Sequence, residues 1–175
     1  KIANDNNLTT INSYFDDSTA NQILTDYGKV DLVTASNVFA HSDNVKNISN
    51  NVSRILKDEG TFIIEVQYLY DTLNTLTFDN IYLEHVNYWS VTSITEFLRN
   101  QDLFVNHVEY LKTHGGSIRI YVQKFSKPDS TVEKFLTKEL NAGIKDSSCY
   151  AKFSNNIDNI RLNVRKNLNI LKSDF

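Results

Sequence analysis

The sequence predicts an α/β fold: an open, mostly parallel sheet, wound by helices and ending in an antiparallel hairpin. Three observations carry this. The segments "VDLVTA" (30–35) and "TFIIEV" (61–66) are apolar runs rather than alternating ones, as expected of parallel strands covered on both faces. A helical stripe lies between them, the order that a strand–helix–strand crossover requires. Further on, "FVNHVEYL" (104–111) and "SIRIYVQ" (117–123) are joined only by "KTHGG", short enough for a hairpin.

The elements follow in order. "LTTIN" (8–12) reads as a short β-like run. Residues 18–27 predict a helix, with Ala20, Ile23, Leu24 and Tyr27 on one face and Gly28 as its stop. After the first apolar strand the chain turns polar at "SN" and "VFAHSDN". Residues 44–57 then carry Val45, Ile48, Val52, Ile55 and Leu56 on one helical stripe. "KDEG" (57–60) reads as the turn into the second strand. Residues 67–91 show no clear period. Ser93 and Glu96 resemble a capping box for a helix near 92–101 bearing Ile94, Phe97 and Leu98. Beyond Pro128, Val132, Phe135, Leu136 and Leu140 mark one helix. Tyr150, Phe153, Ile157, Ile160 and Val164 mark a longer one. That longer stripe is expected to pack against the sheet or against sequence outside this chain rather than form a free-standing coiled coil, because only about two heptads are clean.

Composition narrows the function. The 175 residues suit one domain or one and a fragment, and a net charge of −3 without a basic block does not indicate a nucleic-acid footprint. No apolar run approaches the roughly 18 residues of a membrane helix. One cysteine, Cys149, excludes an internal disulfide framework and a cysteine-based metal site in these residues, so no metal is expected here. A reducing, cytoplasmic setting fits. The chain opens on "KIAND" without methionine and closes on "NILKSDF" still in a helical pattern, so it reads as a piece of a longer protein.

Three stretches can carry chemistry. In open α/β sheets ligands bind beyond the carboxyl ends of the strands, which is where Asn37 and His41 fall. "NIYLEHVNYWS" (80–90) gathers Tyr82, Glu84 and His85. Histidine is the usual base near neutral pH, a glutamate can orient it, and a tyrosine can donate to an oxyanion. "THGGSIR" (113–119) pairs two glycines, which permit close backbone approach, with His114 and Arg119, which can meet an anion. Each stretch also has a plain structural reading. Asn37 can cap a turn beside a surface His41, Tyr88 and Trp89 can anchor a loop, and the glycines can form a hairpin turn.

Taken together and in this order, "NVFAH", "DEG-FIIEV-YL-D", "FD-IYLEH-NYWS" and "HGGSIR" resemble the S-adenosylmethionine-dependent sugar C-methyltransferases. The resemblance runs over about residues 1–125 and more weakly through the C-terminal helices. It implies a partial Rossmann-like methyltransferase domain at 1–125 and the start of a C-terminal domain at 126–175. It also implies methylation at C3 of a nucleotide-linked 4-keto deoxysugar. By the same resemblance His85 is the general base, and Tyr82 and Glu84 hold the sugar and steady the enolate. His41 reaches the sugar from the other side. Ser36 and Asn37 pass the methionine part of the cofactor, and Tyr14 and Phe15 wall its adenine. His114, Gly116, Ser117 and Arg119 meet the substrate.

The departures from the family are equally specific. Its N-terminal zinc-binding domain, glycine-rich cofactor loop and ribose-binding acid have no counterpart in these residues. The chain alone is therefore expected to bind cofactor weakly and to self-associate through exposed apolar surface. A methyltransferase acting on oxygen or nitrogen would not need a carbon-acid base. A non-catalytic interaction fragment would need none of these side chains.

Overall fold

The computed structural model describes residues 2–6 and 8–173. Two helices, α1 (Ile2–Asp5) and α2 (Asp17–Tyr27), precede β1 (Val30–Ser36). Then come α3 (Val45–Ile55), β2 (Leu56–Gln67) and α4 (Leu69–Thr75). After a long loop follow α5 (Val91–Arg99), β3 (Phe104–Leu111) and β4 (Ser117–Gln123), and the chain ends in α6 (Ser130–Asn141) and α7 (Ser147–Ser173). Single 3-10 turns sit at Phe39–His41, Phe78–Asn80 and Thr113–Gly115.

The sheet runs β1-β2-β4-β3. The two apolar strands are parallel neighbours, with Ala35 opposite Ile64, and the hairpin completes the sheet. It does so with its second strand innermost: β4 pairs antiparallel to β2, Ile64 meeting Ile120. The sheet is therefore mixed, with one parallel ladder and two antiparallel ones. Phe62, Ile64, Val66, Ile118, Ile120 and Val122 point to one face and form the core with Val52, Ile94, Leu98 and Val132 from α3, α5 and α6. Burial of these groups is the main driving force for the fold.

Several expectations are corrected. Residues 8–12 are irregular; Leu8, Thr9 and Thr10 are exposed, and strand propensity alone does not hold a strand that has no partner. "KDEG" is a bulge inside β2, not a turn before it, since Val30 pairs with Leu56 but Leu32 with Thr61. Gly60 is required there, because a Cβ would lie 2.8 Å from the Leu56 side chain. The short helix α4 falls in a stretch with no readable period. Coverage of both sheet faces is not seen among the described residues: Leu32 is 54% exposed and Ile63 only half-buried. Of the two packings expected for the α7 stripe, the one against the sheet is not seen among the described residues. The early turns of α7 pack on α4, but every residue from 158 to 172 is exposed.

The capping box of α5 is Ser90 with Ser93, not Ser93 with Glu96. Its position is set from outside the helix. The Glu139 carboxylate of α6 is fully buried and accepts the N–H groups of Val91 (2.7 Å) and Thr92 (2.8 Å), two donors that a helix start cannot satisfy internally. Glu96 instead pairs with Lys145. Replacing Glu139 by Gln turns one of those acceptors into a donor facing an N–H. We expect a loss of about 2–3 kcal/mol, the scale of charged hydrogen bonds and unsatisfied buried groups, read by urea unfolding. A loss under about 0.5 kcal/mol would contradict this role.

The other end of α6 is fixed by Asp129, which accepts from Thr131 N–H (2.8 Å) and lies 2.6 Å from His107 Nδ1 on β3. The Thr131 bonds first, and the histidine second, hold the Asp129 carboxyl down at about 2 against an ordinary 3.8. A carboxylate whose folded value is depressed adds stability above its unfolded value and loses it as the pH falls through the folded one. Stability should therefore drop between about pH 4 and 2. Asp129→Asn should flatten that slope in acid titrations followed by circular dichroism, and an unchanged slope would exclude this coupling.

Candidate active site

At the C-terminal ends of β1 and β2 lies a hollow of about 210 Å³, lined by Asn37, Ala40, His41, Val66, Gln67, Tyr82, His85 and His114. Four separate segments supply these residues, and main-chain bonds hold each in place. Asn37 takes a left-handed φ of 52° and donates its N–H to Glu65 O. The turn at Phe39–His41 carries His41, and Ala40 O accepts the Asn87 N–H at 3.1 Å. His114 also has a left-handed φ, 53°. Among the described residues, two of the four non-glycine residues with positive φ thus line one hollow. Such strain is characteristic of functional sites.

The two imidazoles face each other with centroids 4.7 Å apart. Each is oriented by a carbonyl: His41 Nδ1 by Glu84 O at 2.9 Å and His85 Nδ1 by Asn80 O at 2.9 Å. A carbonyl can only accept, so both Nδ1 atoms carry the hydrogen and both Nε2 atoms present a lone pair when the rings are neutral. The Tyr82 hydroxyl donates to His85 Nε2 at 3.0 Å. His41 Nε2 has no partner among the described residues. The stretch "NIYLEHVNYWS" thus does both jobs: Trp89 is buried as an anchor, while Tyr82 and His85 line the hollow.

The remaining candidates divide. The Glu84 side chain is exposed and bonds to nothing described; its contribution is the main-chain carbonyl on His41. Of residues 113–119, only His114 lines the hollow. Arg119 does not reach it, because its guanidinium is engaged by Glu65 (2.9 Å) and Glu109 (3.5 Å) across the sheet. Ser117 is buried and donates to Thr113 O, and Gly116 packs on Asp71. Ser36 is exposed and lines neither this hollow nor its neighbour.

That neighbouring hollow, about 470 Å³, is bounded by Tyr14, Phe15, Val38, His41, Ser42, Asp43, Asn44 and Ile48. His41 belongs to both walls. Its volume falls within the roughly 300–1,000 Å³ of small-molecule sites. The Tyr14 side chain is 91% exposed and stacks on no ring among the described residues, so a planar ligand can reach it. Among the described residues, no group of three or more His, Cys, Asp or Glu side chains is placed to hold a metal ion.

Sequence reasoning missed Gln67. The available signal was its place, the first residue beyond the apolar run of β2, where ligands of open sheets sit.

Comparison with known proteins bears on the family. A family described as "Methyltransferase domain" matches residues 3–108, and one described as "C-methyltransferase C-terminal domain" matches residues 112–174. C-methyltransferase NovU of Streptomyces niveus is 30% identical over 168 residues, 94% of this chain. The chain spans 40% of that relative's length. Among solved structures, a Haloferax volcanii methyltransferase in complex with the Trm112 methyltransferase activator aligns with a TM-score of 0.45, 18% identity, and 55% of each chain covered. Precorrin-6y C5,15-methyltransferase from Geobacter metallireducens GS-15 aligns with a TM-score of 0.40 and 21% identity, over 69% of this chain and 55% of that one.

Gly116 tests the architecture of the hollow. It has φ 121°, and an added Cβ would lie 2.1 Å from Asp71 Oδ2. Gly116→Ala should cost about 1–3 kcal/mol from strain at this φ and displace the turn that carries His114. Thermal unfolding and the His114 ring shifts in nuclear magnetic resonance report both, and unchanged spectra would contradict the packing described.

Proposed function

We propose that this chain, which belongs to the C-methyltransferase family, supplies the proton-transfer half of a methyl transfer from S-adenosylmethionine to a carbon. The substrate in this reading is a nucleotide-linked 4-keto deoxysugar, methylated at C3. Residues 1–125 carry the chemistry and 126–175 begin a C-terminal domain. The observation that supports it is the pair of carbonyl-oriented imidazoles in one hollow, with the Tyr82 hydroxyl on one of them.

A carbonyl acidifies the adjacent C–H, and the chain must take that proton while meeting the charge that forms on oxygen. His85 is the base. In the structure its lone pair is occupied by Tyr82 O–H. A substrate carbonyl offers the phenol a second acceptor. When the hydroxyl turns to that oxygen, the His85 lone pair is released to the carbon-bound proton. The C–H electron pair becomes a C=C bond, and the carbonyl π pair moves to the oxygen that Tyr82 now stabilises. Asn80 O holds the imidazolium that results. His41, held by Glu84 O, closes the opposite side.

The cofactor, when bound, supplies an electrophilic sulfonium methyl. Tyr14 and Phe15 would hold its purine and Asn37 its amino-acid part, with His41 between the two hollows. Orientation of the carbanion toward that methyl accounts for much of the rate.

In the full-length protein, His85→Asn should lower kcat by about 10²–10⁴-fold, the usual contribution of a general base. The cofactor Kd should stay within about twofold, since the lost interaction is made only in the transition state. A kcat within about threefold of wild type would exclude His85 as the base.

A further inference from the structure

We infer that Gln67 is a catalytic residue, a second, neutral donor to the substrate oxygen that becomes the enolate; this rests on the carbon-acid reading above. Gln67 ends β2 and lines the hollow with Tyr82 and His85. Its side-chain amide, half-buried, makes no hydrogen bond to any described residue. With no protein partner and a place in the lining of the hollow, that amide is available to a ligand bound there.

The donor inventory of the hollow shows why one is needed. With both Nδ1 hydrogens spent on carbonyls, His41 and His85 offer only acceptors. Tyr82 is one donor. An enolate oxygen met by a single hydroxyl is under-solvated, and paired donors are the usual remedy. Asn37 and His114 also line the hollow, but both sit on turn residues with positive φ. Gln67 is different. Its backbone is in register with Ser117 of β4, and the next residue, Tyr68, donates to Gly116 O at 3.0 Å. The donor therefore stands at the hydrogen-bonded end of an inner strand rather than on a loop, which limits the reorganisation needed as charge develops.

The step balances as follows. His85 takes the proton, the C–H pair forms C=C, and the carbonyl π pair moves to oxygen between Tyr82 O–H and Gln67 N–H. The pair returns when the carbon bonds to the sulfonium methyl, whose former bond leaves its electrons on sulfur. A neutral amide favours the charged oxygen over the ground-state carbonyl, so it should act on kcat rather than on KM.

The test uses the full-length protein and, as probe, a thymidine diphosphate-linked 4-keto deoxyglucose in deuterated water without methyl donor. Deuterium exchange beside the carbonyl is followed by mass spectrometry. Gln67→Leu, which keeps the bulk and loses the donor, should slow exchange and kcat by about 10²–10³-fold. Gln67→Glu, which keeps the size and adds repulsion, should slow them at least as much. KM for the sugar and Kd for S-adenosylmethionine should stay within about threefold in both. If Gln67→Leu melts early, Gln67→Glu decides. Exchange within about threefold of wild type in the folded variants, with His85→Asn inactive, overturns the role of Gln67 alone. Absence of exchange in the wild type overturns this inference together with the reading beneath it.

Discussion

The C-terminal end of β2 is the point on which the molecule depends. Within a few residues its backbone joins every segment that reaches the hollow. Glu65 O accepts the Asn37 N–H from the end of β1, Tyr68 N–H binds Gly116 O of the hairpin turn, and Leu69 N–H binds Trp89 O near the end of the 76–90 loop. Three segments far apart in sequence converge because one strand has ladders on both sides and a free end. Side chains of the core hold that strand flat, but main-chain bonds decide which residues meet at its tip. Changes to the core should therefore cost stability broadly, whereas changes at the tip should move individual site residues.

The same economy governs the chemistry. Neither imidazole is oriented by a carboxylate; both are held by main-chain carbonyls, of Glu84 and Asn80. A carboxylate would stabilise the imidazolium strongly, whereas a neutral carbonyl fixes the tautomer with a weaker pull. The surroundings contain neutral dipoles throughout: Tyr82, Asn37, Gln67 and His114. The charged groups that sequence patterns bring to mind are placed elsewhere. Glu84 faces solvent, and Arg119 is neutralised by Glu65 and Glu109 within the sheet. A site of neutral donors and tautomer-fixed acceptors suits a reaction in which charge appears briefly on one oxygen.

Much of this was legible in the sequence. The apolar runs announced the parallel pair, the five-residue link announced the hairpin, and the placing of His41 opposite Tyr82 and His85 was implied by the family resemblance. Other features were not legible, for physical reasons. Glu139 sets the start of α5 from 48 residues away, so no local capping pattern could show it. The bulge at 57–60 depends on β1 as partner. Arg119 carries a residue type suited to anions, but its side is decided by strand parity opposite Glu65. Gln67 looks like the end of a strand until the surrounding segments fold over it. The apolar stripe of α7 has helical period, yet period says nothing of what lies alongside.

The central claim is that two main-chain carbonyls hold His41 and His85 as Nδ1–H tautomers, leaving both Nε2 lone pairs toward the hollow. Long-range proton–nitrogen correlation spectra of the ¹⁵N-histidine-labelled protein, at a pH where the rings are neutral, read this directly. The account predicts that both residues show a protonated Nδ1 and an unprotonated Nε2, with Tyr82→Phe shifting the Nε2 resonance of His85 and leaving that of His41 in place. A protonated Nε2 on His85 would contradict it, because that nitrogen could then neither accept from Tyr82 nor take a proton from carbon.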